Sequence, residues 1–400
     1  MTSLLRIAGD AREIAERARV DGRIALDTEF VSEGRYRPLL CLVQVAVQAR
    51  GSGGKADVVV LDPIEGFDHG PLADVVADPE IDVVLHAGAQ DVAILRRAWG
   101  IAPSRLFDTQ IAAGFAGFSA QAGYGNLLSR VTGVRLNKSA GFTRWDRRPL
   151  TPEQVDYARS DVEDLLTLAD TLEERLSAAG RLGWAREECR RLEAISDERD
   201  PDEAWRRLPR VAQLRPRGRA VASALAAWRE RTAAEEDRPL GSILSDVALI
   251  EVARRQPKSI ADLQAIRGVR PDLGRRRGAA VLEVIERGRE QPPPELEEWT
   301  RSDPEPQDAP RIALCEALVR HRVLEAGLAY ELVASRADLT AIAVAAREGA
   351  DEPDVRTLGG WRRDLVGAEL LELLAGRVSL RVAPDGGVAV AEASRAAGPG

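Results

Sequence analysis

The chain has 400 residues, 44% of them apolar, and a formal net charge of −8. That length exceeds what a single hydrophobic core usually fills, so two or three domains are expected. No run approaches about eighteen uncharged apolar residues, and residues 1–10 (MTSLLRIAGD) carry charges where a secretion signal needs hydrophobes, which argues against a membrane protein and predicts a cytoplasmic one. Cys41, Cys189 and Cys315 lie far apart without C-x-x-C spacing, against both a disulfide framework and a zinc site.

In chain order, residues 23–30, 39–47 and 57–62 read as strands, with a Gly-rich turn at 51–54. Residues 71–78 and 90–99 carry helical patterning and enclose a short strand at 81–86, so the first third of the chain predicts an α/β layered sheet. From residue 106 the pattern turns mainly helical, and a helix starts at Thr151 as N-cap, with Pro152 in its first position and Glu153 in its first turn. Residues 196–212 read as a linker. Helical stretches at 218–234, 240–255, 259–266 and 272–289 predict a small all-helical domain over 205–290. A Pro-rich acidic hinge at 291–306 leads into a third helical unit over 307–380, and residues 381–400 read as a disordered tail. No residue-by-residue repeat relates the second unit to the third.

Three short segments carry the chemistry. In residues 24–30 (IALDTEF) the period of two along a strand turns Asp27 and Glu29 to the same face. In residues 157–161 (YARSD) a spacing of four puts Tyr157 and Asp161 on one side of a helix. Asp91, in residues 86–95 (HAGAQDVAIL), completes the acidic set. Phosphodiester hydrolysis needs an activated water, charge stabilisation at phosphorus and help for the departing oxygen, which two hard cations about 3.5 to 4 Å apart can supply together. Carboxylates suit Mg²⁺ or Mn²⁺. A tyrosine one turn before the last aspartate then positions water, since a phenol with a pKa near 10 is a poor base.

The charge is unevenly divided. Residues 205–290 hold 19 Arg plus Lys against 11 Asp plus Glu, a local +8, so the other 314 residues carry −16. A basic module beside an acidic remainder suits one part that neutralises phosphate and another that concentrates carboxylates around cations. Within the basic stretch, Arg275, Arg276 and Arg277 are candidates for phosphate contact.

These segments resemble the ribonuclease D group of DEDD-type 3′→5′ exonucleases, in the subclass whose last motif contains tyrosine. The resemblance rests on LDTEF at 26–30, HAGAQD at 86–91 and YARSD at 157–161, and extends to FDTQIAA at 107–113, GNLL at 125–128, LNKS at 136–139 and WDRRPL at 145–150. It implies a ribonuclease H-like α/β domain over residues 1–195 with a mixed sheet flanked by helices, and two divalent cations. Asp27, Glu29, Asp91 and Asp161 would be the metal ligands, with Tyr157 orienting the water. Residues 225–240, 245–253 and 257–269 resemble the HRDC domain, an auxiliary nucleic-acid binder, and GGWRRDLVG at 359–367 is similar to a second helical module of the same enzymes. Phe30 is a candidate to stack on terminal bases, with a core role as the alternative. His86 is a candidate to reach a phosphate or the leaving oxygen, with a hydrogen-bonded structural histidine as the alternative. Lys138, Arg144 and Arg148 are candidates to hold the scissile strand, with exposed loop cations as the alternative.

The expected activity is an exoribonuclease releasing 5′-mononucleotides from RNA 3′ ends, with transfer-RNA precursors or other structured RNA as partner, and no membrane or obligate protein partner. A DNA 3′→5′ exonuclease on the same scaffold stands as the alternative, because carboxylates and cations are indifferent to the sugar. A non-catalytic RNA-binding scaffold is the other, its signature being a lost acid, and all four acids are present. Truncation after about residue 200 is expected to weaken RNA affinity and spare the chemistry.

Overall fold

The structure, a computed structural model, describes residues 10–48, 56–136, 144–295, 304–384 and 386–392. The turn at 51–54 and half of the hinge at 291–306, residues 296–303, lie outside them. After helix α1 (Asp10–Asp21), which the sequence reading leaves unassigned, come strands β1 (Arg23–Val31), β2 (Leu39–Val47) and β3 (Asp57–Leu61). Helix α2 (Gly70–Ala77), strand β4 (Asp82–Leu85), helix α3 (Ala89–Trp99) and strand β5 (Leu106–Asp108) complete a sheet in the order β3-β2-β1-β4-β5. β1 runs antiparallel to β2 and parallel to β4, so the sheet is mixed.

The period of two along β1 separates two cores. Ile24 and Leu26 pack with Ile14, Ala15 and Ala18 of α1 and Val92 and Ile94 of α3. Ala25, on the opposite face, joins Phe107 and Phe115, together with Leu165 and Leu168 of a long helix farther on. The helices of that second face are α4 (Thr109–Phe115), α5 (Tyr124–Thr132), α6 (Pro152–Glu163), α7 (Leu165–Ala178) and α8 (Leu182–Arg190). α6 packs across β1, β2 and β3. Thr151 caps it as expected, and Gln154 closes a capping box, its Oε1 accepting from Thr151 N at 2.9 Å.

The linker reading of residues 196–212 is corrected. Trp205, Leu208, Val211 and Leu214 are buried in the core of the middle unit, because short 3₁₀ turns such as Pro201–Arg207 turn these apolar side chains inward. That unit comprises α9 (Pro216–Glu235), α10 (Leu240–Ile243), α11 (Asp246–Arg255), α12 (Ile260–Gln264) and α13 (Pro271–Glu290). The helix expected over 240–255 is two, since Leu244 is extended and the Ser245 hydroxyl caps α11 by accepting from Ala248 N at 3.3 Å.

The third unit opens with α14 (Asp308–Ala326), α15 (Tyr330–Val333) and α16 (Arg336–Glu348). A long helix, a four-residue helix and a Ser-capped helix follow one another as in the middle unit, with Ser335 at the place of Ser245. This shared order of elements agrees with the sequence reading of two similar helical units; no residue-by-residue repeat marks it because packing, not residue identity, preserves it. Then come α17 (Gly360–Arg362), a π-turn at Arg363–Gly367 and α18 (Ala368–Leu374). The disordered-tail reading is corrected for residues 381–384 and 386–392. Strands β6 (Val378–Val382) and β7 (Val388–Glu392) pair as a hairpin, with Leu380 and Val390 resting on the core.

The third unit and the nuclease-like unit share one core. Trp361 stacks on Trp184 with ring centroids 5.4 Å apart and meets Phe115 edge-on at 4.8 Å, and the buried Arg362 guanidinium pairs with Glu188 at 2.7 Å. The middle unit docks through polar contacts instead. The Tyr36 hydroxyl donates to Glu230 at 2.7 Å, and Arg35 donates to Asp237 at 2.6 Å.

Candidate active site

Asp27 and Glu29 leave β1 on the face covered by α6, and from α6 Asp161 reaches down to them. Carboxylate oxygens of the three lie within 4.8 Å of one another. A β-bulge between Glu29 and Phe30 ends the regular register against β2 just beyond the pair. Asp91 arrives from the other side of the sheet, in the first turn of α3, where β4 ends. The acids therefore converge where β4 ends and α3 departs on one face of the sheet, while β1 runs on past its pairing with β4 and carries Asp27 and Glu29 under α6 on the other face.

Two residues that the sequence reading passed over fix Asp91. The Thr28 hydroxyl, on the face of β1 opposite to Asp27, donates to Asp91 Oδ1. Asp108, fully buried at the N-cap of α4, accepts from Ala87 N at 3.1 Å and Gly88 N at 2.8 Å as well as from Gln110 N and Ile111 N. One carboxylate thus ties the loop before α3 to the start of α4. Gly88 cannot be larger, because a Cβ there would lie 2.7 Å from Leu85 Cβ. The signals were present, a Thr between the two motif acids and an Asp one residue before a helix, but neither spacing names its partner.

Tyr157 hydrogen-bonds Asp161, and its ring lies 6.0 Å from that of Trp145. Burial, with the charges of Asp161, Glu29 and Asp27, pushes the phenol up, so it stays protonated and acts as a hydrogen-bonding group rather than a base. The acids are raised as well. Burial, then the charges of Asp161 and Asp91, push Glu29 up to about 8; burial pushes Asp161 to about 7 and Asp91 to about 6. Asp27 is pushed well above the usual carboxylate range by burial and by Asp91, Asp161 and Glu29. Four crowded carboxylates in a half-buried, all-oxygen site fit hard divalent cations, whose charge reverses this repulsion.

A pH dependence follows. Between the ordinary carboxyl range near about 4 and these raised values, the folded site holds more protons than the unfolded chain, so without cation its contribution to stability falls as pH rises through that window. Added Mg²⁺ or Mn²⁺ should raise the melting temperature strongly at about pH 8.5 and little at about pH 5, since protons and cations compete for the same oxygens. Equal shifts at both pH values in thermal melts would count against this site.

The expected substrate contacts fare unequally. Phe30 is half-buried and packs against the α1-side core. His86 Nδ1 lies 2.9 Å from the Thr109 hydroxyl, while Nε2 is buried without a hydrogen-bond partner among the described residues. Burial lowers the imidazole, so His86 offers a neutral ring rather than a cation for phosphate. Lys138 lies outside the described residues. Arg144 is exposed and forked onto Asp146 at 2.9 and 3.0 Å. Arg148 does not serve as a free phosphate contact: its guanidinium holds Asp62 at 2.5 Å, Cys41 O at 3.0 Å and Trp145 O at 2.7 Å, clamping the loop before α6 onto β2 and the end of β3. Arg277 is likewise spent on Glu236, while Arg275 and Arg276 stay exposed.

Comparison with known proteins agrees with this geometry. Residues 6–177 match a 3′–5′ exonuclease family and residues 218–285 match the HRDC domain. Ribonuclease D of Gluconacetobacter diazotrophicus is 37% identical over 387 residues, 95% of this chain and 94% of that protein. Ribonuclease D of Acidiphilium cryptum is 37% identical over 372 residues, 92% and 91% of the two chains. The crystal structure of Escherichia coli RNase D, an exoribonuclease involved in structured RNA processing, superposes with a TM-score of 0.79 at 30% identity over 93% of this chain and 99% of that one. Among the described residues no helix is long and apolar enough to cross a membrane.

Proposed function

The chain belongs to the ribonuclease D family of hydrolytic 3′→5′ exoribonucleases, and from that premise we propose that it trims structured RNA with a 3′ tail, transfer-RNA precursors above all, using two divalent cations held by Asp27, Glu29, Asp91 and Asp161. The observation that carries the reading is the convergence of Asp27, Glu29 and Asp161 within 4.8 Å, with Asp91 held beside them by Thr28. Bound cations supply Lewis acidity to the attacking water and to the departing oxygen.

The protein's own groups do the rest. Tyr157, held by Asp161 and steadied by Trp145, orients the water for attack on the last phosphorus. The new bond joins water oxygen to phosphorus. The bond to the 3′-oxygen of the penultimate nucleotide breaks, that oxygen takes up a proton from solvent in place of the one the attacking water gives up to solvent, and the terminal nucleotide leaves as a 5′-monophosphate. The 2′-hydroxyl takes no part, so no cyclic phosphate forms. In this reading residues 1–195 form the catalytic domain, the middle unit is the HRDC domain, and residues 307–380 are an HRDC-like module joined to the catalytic core.

The test compares a transfer-RNA precursor carrying a short 3′ trailer, unstructured RNA and DNA, each labelled at the 5′ or 3′ end, with Mg²⁺, Mn²⁺ or chelator. The expected result is stepwise shortening from the 3′ end that stops near the mature terminus, with 5′-monophosphates as products. Faster digestion of DNA, or trimming that ignores the folded body, would overturn the substrate assignment.

A further inference from the structure

A cluster of positive charge on the middle unit lies away from Arg275 and Arg276. A cavity of about 770 Å³ opens between the start of α9, the turn after α11 and the last turn of α13. Arg215, Arg217, Arg254, Arg255, Lys258 and Arg289 line it, and no carboxylate does. Some of these cations are engaged. Arg289 donates to Gln256 O at 2.8 Å and pairs with Glu286, and Glu251 pairs with Arg254 and with Arg255. Arg215, Arg217 and Lys258 are exposed and have no ion-pair partner among the described residues. Six cations thus face two carboxylates that pair with them from outside the lining, a local excess of four positive charges.

Backbone geometry adds to that field. α9 begins at Pro216, which has no N–H, and Arg215 at the N-cap offers no side-chain acceptor. The first amide to be bonded is that of Arg219, to Arg215 O at 3.0 Å, so the N–H groups of Arg217 and Gly218 have no helical acceptor and the positive end of a 20-residue helix opens at the cavity. Crowded cations repel one another unless an anion joins them, and the shape, charge and amide donors all suit phosphate.

We infer that this cavity grips backbone phosphates of RNA upstream of the 3′ end being trimmed, an inference that rests on the exoribonuclease reading of the acidic site. The position of α9 sets the reach. The helix ends beside Asp237, which docks with Glu230 onto Arg35 and Tyr36, in the loop that follows the strand bearing Asp27 and Glu29. Its 20 residues rise about 30 Å. At about 3.4 Å per stacked nucleotide, a strand must be on the order of ten nucleotides long to lie in both places. Short RNA then ignores the cavity and long RNA feels it.

The experiment replaces Arg215, Arg217 and Lys258 together by Gln in the full chain and follows single-stranded RNA of about 5 and about 20 nucleotides. For the longer RNA, affinity is expected to fall by at least about tenfold, and the slope of log affinity against log salt to shrink by about 2, near 0.7 for each lost phosphate contact. Cleavage of the short RNA should be unchanged, and an unaltered melting temperature shows that these exposed substitutions leave the fold intact. Unchanged affinity and slope for the longer RNA, or equal losses for both lengths, would overturn the proposal. So would strong binding of inorganic triphosphate that the substitutions abolish while long RNA binds as before, which would assign the cavity to a free polyphosphate. Failure of the exonuclease reading itself is separate, since the unmodified chain would then cleave neither RNA with any metal while the salt slope still reports on the cavity.

Discussion

Replacing Asp27 by Asn, or Asp161 by Asn, should lower the rate of RNA 3′-end cleavage by on the order of a thousandfold or more, about 4 kcal/mol of transition-state stabilisation. The amide keeps the size of the side chain and removes the charge that a hard cation needs. Asp27 and Asp161 share one cluster with Glu29, so losing either should degrade the whole site, and a double replacement should cost little more than one. RNA affinity in chelator should hold, since no cation of the middle unit is touched. Tyr157→Phe makes a gentler companion. The ring stays against Trp145 while the hydroxyl that bonds Asp161 is gone, so kcat should drop with little change in KM. Single-turnover cleavage with saturating Mg²⁺ measures both, and near-normal rates in Asp27→Asn would remove the metal assignment.

Loss of the third unit should be as damaging, for a different reason. Phe115 and Trp361 are almost fully buried, and Cys315, Leu318, Val319, Leu339 and Leu370 of the third unit belong to the same cluster as Leu165, Leu168 and Leu172 of the nuclease-like unit. A chain ending near residue 303 would expose this face. Trp361→Ala alone should cost about 3 to 5 kcal/mol, the usual range for an aromatic residue deleted from a core. Arg362→Ala should rank with it. Burial works to raise the half-buried Glu188 carboxyl, and the Arg362 hydrogen bond and charge hold it below its ordinary range, so removing the guanidinium takes away its strongest partner and leaves only the partly exposed Arg191 at 3.2 Å and the Trp361 indole. Urea or thermal unfolding of the nuclease-like unit reports the loss. A truncated chain that melts and cleaves like the full one would show that the shared core carries no weight. This replaces the sequence-based expectation that cutting after about residue 200 spares the chemistry, since such a cut also removes the third unit.

The two junctions divide the labour among the units. An apolar contact fixes the third unit to the catalytic core, while the middle unit is attached through Tyr36, Arg35, Glu230 and Asp237, a polar contact of the kind that permits relative motion. A unit that feeds RNA of varied shape toward a fixed site gains from such an attachment.

The local part of the site was legible in the sequence, because backbone periodicity alone places Asp27 with Glu29 on one strand face and Tyr157 with Asp161 on one helix face. Thr151 and Pro152 marked the start of that helix for the same reason, since a cap is written in consecutive residues. Only the tertiary structure decided which cations remain available. Arg148 and Asp62 lie 86 positions apart and Arg277 and Glu236 lie 41 apart, so no local pattern could tell a clamped arginine from a free one. Asp91 reaches its place through Thr28, 63 positions away, and Asp108 supports its loop from the next strand. The union of the third unit with the catalytic core, and the cavity that gathers Arg215, Arg217 and Lys258, likewise depend on which helices pack together. Spacing along a chain fixes which side chains share a face; what that face meets is set by burial and charge pairing between segments far apart in sequence.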